Sequence, residues 1–143
     1  MTLDRSSSNP PSERPTVLIC EGDRDLRLVL AALLDREGYH PVTAADAREA
    51  VSRAVASPPA CVVLSLPLPG GDPGEVLHSL RGLGGMADAG VIVIAPPELL
   101  RQELEGFHPD RDIRLPPTFR PEELLAAVKE SACIKLAVVD RQW

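Results

Sequence analysis

Val17-Leu18-Ile19-Cys20-Glu21-Gly22-Asp23 is the stretch on which the fold of this chain turns. Four apolar residues in a row, with no polar residue alternating between them, read as a short strand covered on both faces. The run stops at two acidic residues around a glycine. Asp23 is placed to cap a helix whose apolar positions, Leu26, Leu30, Leu33 and Leu34, recur at helical spacing, and Gly38 supplies its stop. A buried strand that gives way to a helix within three residues is the first half of a βα unit.

The pattern repeats outward from there. Pro41-Val42-Thr43-Ala44 is a weaker strand. Asp46 and Glu49 have the spacing of a capping box, with Asp in place of Ser or Thr, and open a helix through Ala56 that Ser57-Pro58-Pro59 closes. Cys61-Val62-Val63-Leu64 is a second buried strand. The loop Pro67-Leu68-Pro69-Gly70-Gly71 then leads to Asp72-Pro73, a cap followed by Pro at the first helical position, and to a helix ending near Arg81. Gly82 to Gly90 reads as a loop and Val91-Ile92-Val93-Ile94 as the clearest strand. The pattern predicts a helix over Glu98 to Glu105 and a short edge strand at Asp112-Ile113-Arg114-Leu115. Pro121-Glu122-Glu123 opens the last helix, its acids favoured by the positive end of the helix dipole. Such alternation calls for a parallel sheet with helices on both faces. At this length the expected α/β fold is the flavodoxin-like doubly wound sheet of five strands in the order 2-1-3-4-5. Chemistry then belongs at the carboxyl ends of the strands, in the loops beginning at Glu21, Ser65, Ala95 and Pro116.

The chain's 143 residues suffice for one core-bearing domain. Residues 1–15, rich in Ser, Pro and charge, are expected to be a disordered leader, 16–132 the domain, and 133–143 a tail. The tail's Ile134-Lys135-Leu136-Ala137-Val138-Val139 leans toward an added strand or docking segment rather than more helix. The net charge of −6 speaks against a protein that grips nucleic-acid phosphates. No apolar stretch is long enough for a membrane span, and Met1 to Ser6 lack the layout of a secretion signal, so a cytoplasmic protein is expected.

Several constellations carry less than they suggest. Cys20, Cys61 and Cys133 form no CxxC pair, and the first two sit in strand-like runs, as buried free thiols would. His40, His78 and His108 lack metal-ligand spacing. Gly82-x-Gly84-x-x-Ala87 matches a dinucleotide fingerprint by letter, but a helix precedes it and a strand follows, the reverse of what pyrophosphate binding needs. Ser65 has no Gly-x-Ser-x-Gly elbow around it. No metal site, cofactor or enzymatic activity is expected.

Five pieces in register carry a family resemblance: Val17 to Asp23, Leu33-Leu34-Asp35-Arg36-Glu37-Gly38-Tyr39, Val42 to Ala47, Leu68-Pro69-Gly70-Gly71-Asp72 and Arg120-Pro121-Glu122-Glu123-Leu124-Leu125-Ala126-Ala127-Val128. From about Thr16 to Lys129 the chain resembles a response-regulator receiver domain. The resemblance implies two-component signalling, a Mg²⁺ ion held with the help of an acidic pair after the first strand, and a phosphoryl group accepted by an aspartate after the third. It also implies a Thr or Ser after the fourth strand and a Lys after the fifth, which bind the phosphoryl oxygens. This chain departs at nearly every position, keeping one chelating carboxylate, Glu21. The acidic pair aligns with Glu21-Gly22, the acceptor with Ser65, the hydroxyl with Ala95 and the lysine with Pro117. The moving aromatic of the family aligns with Arg114.

These departures lead to the expectation of a phosphorylation-independent interaction module. Its partners would be signalling proteins or a second copy of the chain, with no nucleic acid and no membrane. The resemblance implies docking through the face made by the fourth helix, fifth strand and fifth helix, here Leu99, Leu100, Arg101, Arg114 and the surroundings of Glu122. Arg114 is expected to be a binding hot spot whose loss leaves the melting temperature nearly unchanged. The alternative is an atypical phosphoacceptor or small-anion sensor using Asp72, Ser65 or helix N-termini. Glu21, if buried, is expected to need a partner.

Overall fold

The structure is a computed structural model that describes residues 14–140, with side chains described through Ala132. Most of the expected leader, through Glu13, lies outside the described residues, as do residues 141–143. Five parallel strands, β1 (Thr16–Cys20), β2 (His40–Ala44), β3 (Cys61–Ser65), β4 (Gly90–Ile94) and β5 (Ile113–Leu115), form one sheet in the order β2-β1-β3-β4-β5. Between and after them run α1 (Arg24–Arg36), α2 (Ala47–Ala56), α3 (Pro73–Arg81), the single turn α4 (Pro97–Leu100) and α5 (Pro121–Asp140). The expected doubly wound topology is the observed one.

Strand residues alternate between two cores. Leu18, Cys20, Val62, Leu64, Val91 and Val93 join Ala50, Ala54, Val76, Leu77 and Leu80 on the α2–α3 side. Val17, Ile19, Cys61, Val63, Ile92 and Ile94 join Leu30, Leu34, Leu124, Ala127 and Val128 on the α1–α5 side. Both faces of β1, β3 and β4 are therefore dry, which is why these three central strands are near-continuous apolar runs. Burying each such aliphatic side chain contributes roughly 1.5–3 kcal/mol. Burial also pushes the thiols of Cys20 and Cys61 up to about 12, so neither is a thiolate near neutral pH.

The helix starts follow the caps. Asp23 accepts from the Leu26 N–H at 3.0 Å, and Asp72, before Pro73, accepts from Gly74 N–H at 3.1 Å. Asp46 accepts from Glu49 N–H at 2.8 Å while Glu49 reaches back to the Ala45 N–H at 3.0 Å, a capping box shifted outward by one residue.

Three expectations are corrected. The helix expected over Glu98 to Glu105 stops at Leu100. The carbonyls of Leu100 and Gln102, which a continuing helix would offer to its own N–H groups, accept from the Arg114 guanidinium instead, and Gly106 turns the chain at φ +92°. The last strand begins at Ile113 rather than Asp112, whose side chain is buried. Residues 133–140 of the tail form no strand, since the backbone of α5 stays helical through Asp140.

Asp112 is the hub of a buried polar network at the amino-terminal edge of the sheet. Arg81 Nη2 meets Asp112 Oδ2 at 2.5 Å, with side-chain exposures of 8% and 0%. Asp112 also accepts from Val91 N–H at 3.0 Å and His108 N–H at 2.7 Å. Arg81 donates to the carbonyls of Gly106 at 2.9 Å, Met86 at 3.1 Å and Ala89 at 2.5 Å. One ion pair thus ties α3, the loop before β4, the start of β4 and the segment before β5.

Candidate functional site at the carboxyl edge of the sheet

Strand register assembles the expected site. Cys20 lies opposite Leu64, and Ser65 opposite Ile94, so Glu21, Ser65 and Ala95 meet at the carboxyl ends of three adjacent strands. Ala95 N–H donates to the Leu115 carbonyl at 3.1 Å, which brings the Pro116-Pro117 loop to the same edge. Glu21 is buried, at 8% exposure, and its Oε2 accepts from Asp23 N–H at 3.0 Å. The partner that this carboxylate required is the backbone of its own loop. Arg27 Nη1 donates to the Glu21 carbonyl at 2.8 Å, so the cation of α1 also braces that loop.

Pro69 stands over Gly22. A Cβ at position 22 would lie 2.8 Å from Pro69 Cδ, closer than real Cβ atoms approach, and a tight 3.0 Å from Pro69 Cγ. At the positions that the resemblance assigns to the metal and phosphoryl sites, the side-chain oxygen donors are the Glu21 carboxylate, with one oxygen already engaged by a backbone amide, and the Ser65 hydroxyl. A Mg²⁺ ion favours carboxylates around a rigid octahedron, and this donor set does not fit one. Among the described residues, no group of three or more His, Cys, Asp and Glu is placed to hold a metal ion. Asp72 is occupied as a helix cap. Of the histidines, His78 pairs with Glu105 at 3.2 Å on the exposed surface.

No family model matches the chain. Response regulator MprA of Mycolicibacterium vanbaalenii is 32% identical over 113 residues, which cover 79% of this chain and 48% of that protein. A putative response regulator from Chloroflexus aurantiacus superposes with a TM-score of 0.73 at 22% identity, covering 85% of this chain and 99% of that one. The receiver domain of a Pseudomonas aeruginosa sensor histidine kinase, whose structure holds magnesium in its active-site cleft, superposes at 0.70 with 18% identity, covering 83% of this chain and 98% of that one. The chain belongs to the response-regulator receiver family. Since it spans about half the length of the curated relative it matches, the likeness concerns the receiver portion.

In this receiver the expected docking residues fall into two groups. Leu99 and Leu100 are half-buried against the α2–α3 core, while Arg101 and Glu122 are exposed. Arg114 is not a free arginine on an edge strand. Its guanidinium lies 4.4 Å from the centre of the Phe107 ring and Nη1 donates to the carbonyls of Leu100 and Gln102. Arg114→Ala is therefore expected to lower stability by about 1–1.5 kcal/mol, from a cation–π contact and the charge-assisted bonds. Chemical denaturation checks this, and an unchanged midpoint would restore the expectation of a purely external role.

Sequence reasoning missed Pro69 as the residue filling the space above Gly22, and Phe107 as the ring beneath Arg114. It also missed the Arg81–Asp112 pair. The only local signal for that pair was a charged residue at the head of an apolar run, and its partner lies outside any local window.

Proposed function

We propose that this receiver acts as a phosphorylation-independent protein-interaction module of two-component signalling, working in the cytoplasm by binding rather than by catalysis. The observation that carries the reading is the set of groups at the carboxyl edge. By the family resemblance, Ser65 takes the position of the phosphoacceptor, Gly22, which lies beneath Pro69, that of a metal-binding acid, Ala95 that of the hydroxyl and Pro117 that of the lysine. Acyl-phosphate formation needs a carboxylate nucleophile, a cation to neutralise the transferred group and donors for its oxygens. A serine hydroxyl is a far weaker nucleophile than a carboxylate near neutral pH, and its ester lacks the lability of an acyl phosphate. Loss of one such group would be ordinary variation; loss of all of them removes the reaction. The excess of acidic residues supports protein rather than nucleic acid as the partner.

Incubation of the chain with Mg²⁺ and acetyl phosphate is expected to leave its intact mass unchanged. A stoichiometric phosphoryl adduct on an aspartate, stable to acid and labile to base, would overturn the reading.

A further inference from the structure

Where α4 ends early, the chain from Arg101 to Asp112 runs as turns and encloses a groove of about 480 Å³ lined by Glu103, Leu104, Glu105, Phe107, Pro109 and Arg114. Its apolar part is Leu104, Phe107 and Pro109. Its polar rim is acidic. Glu103 and Glu105 are exposed, and Glu103 has no ion-pair partner among the described residues. Glu105 has only His78, with both side chains well exposed, an arrangement that contributes little. Asp110 on the same segment and Glu98 on α4 add exposed negative charge. Of the basic residues nearby, Arg101 is exposed with no ion-pair partner among the described residues, whereas Arg111 and Arg114 are committed. Arg111 holds Asp88 at 3.4 Å and the Ala87 carbonyl at 2.6 Å, and Arg114 shares its charge with the Leu100 and Gln102 carbonyls.

The groove is also fixed before anything binds. Arg81 holds the Gly106 carbonyl, Asp112 holds the His108 N–H, and Arg114 covers Phe107. Segments held in this way lose little further freedom on docking. We propose that this groove receives a cationic segment of a partner protein, in which an apolar side chain lies against Leu104, Phe107 and Pro109 and a neighbouring Lys or Arg lies between Glu103 and Glu105. The inference rests on the interaction-module reading and adds to it the chemistry of the partner. Complementary charge sets register and steers encounter, and an acidic partner segment would be repelled by the same rim.

The test is an NMR titration of the isotope-labelled full chain with a short Lys/Leu peptide, run beside its Glu/Leu counterpart. Shifts confined to residues 103–109 and Arg114 with the basic peptide, and none with the acidic one, are expected. Affinity should fall by roughly tenfold or more in the variant Glu103→Lys with Glu105→Lys. It should stay level in Glu37→Lys with Glu130→Lys, which changes charge by the same amount elsewhere. Shifts centred on another face, or equal loss in both variants, overturn the groove while leaving the interaction-module reading in place. Repeating the titration after acetyl phosphate and Mg²⁺ separates the two, because binding that appears only after that treatment would overturn phosphorylation-independence and retain the groove.

Discussion

Asp112→Ala is expected to cost about 3–5 kcal/mol, because breaking a buried ion pair leaves its partner's charge uncompensated. Arg81 would remain almost inaccessible, bonded to carbonyls but with no counter-charge, and the N–H groups of Val91 and His108 would lose their acceptor. That is a large share of the roughly 5–15 kcal/mol that holds a domain of this kind together. Arg81→Met alone should be comparably harmful by stranding Asp112. The two together, with Asp112→Leu, should lose less than either single change, since neither charge is then buried alone. Denaturant midpoints decide the matter, with amide exchange at Val91 and His108 as an independent readout should the single variants be too unstable to titrate. A loss below about 1 kcal/mol for Asp112→Ala would mean that the pair is not the tie described here.

The second large effect concerns restoration of the site. Gly22→Asp, Ser65→Asp, Ala95→Thr and Pro117→Lys together would return side chains to the positions at which the resemblance places them. The variant is expected to lose about 3 kcal/mol in the presence of a chelator, from overpacking at position 22 and from carboxylates converging with Glu21. It is also expected to bind Mg²⁺ poorly, because Pro69 occupies the space that any side chain at position 22 needs. Adding Pro69→Ala should recover part of the stability and most of the metal affinity, as read by thermal shift with and without Mg²⁺. Tight Mg²⁺ binding by the four-residue variant with Pro69 intact would show that the loop yields easily.

The strands, their order and four of the five helix starts were legible because each rests on short-range chemistry: apolar runs, Asp caps and Pro at the first turn. The fourth helix was not. Its apolar spacing through Leu104 is helical, but the group that ends it is Arg114, in the next strand, competing for the carbonyls of Leu100 and Gln102. Leu104 is buried as a helix would bury it, yet from a turn. The tail failed for a related reason. Its β-branched residues favour strands by local preference, and continuity with α5 prevailed. At the carboxyl edge, the positions of Glu21, Ser65 and Ala95 followed from strand ends alone, whereas the cover over Gly22 depended on a loop whose path no local pattern specifies.

The Arg81–Asp112 tie sits before β4 and β5, whereas Glu21, Ser65 and Ala95 sit after β1, β3 and β4. A strand's length of roughly 15 Å separates the two edges. Groups more than about 7–10 Å apart that share no partners contribute independently to stability. Substitutions can therefore accumulate at the reactive end of this sheet without drawing on what keeps the chain folded. A lineage carrying such a domain is free to abandon the reaction and keep the scaffold, and the selection that remains falls on the anchored end and on the surface it holds in place.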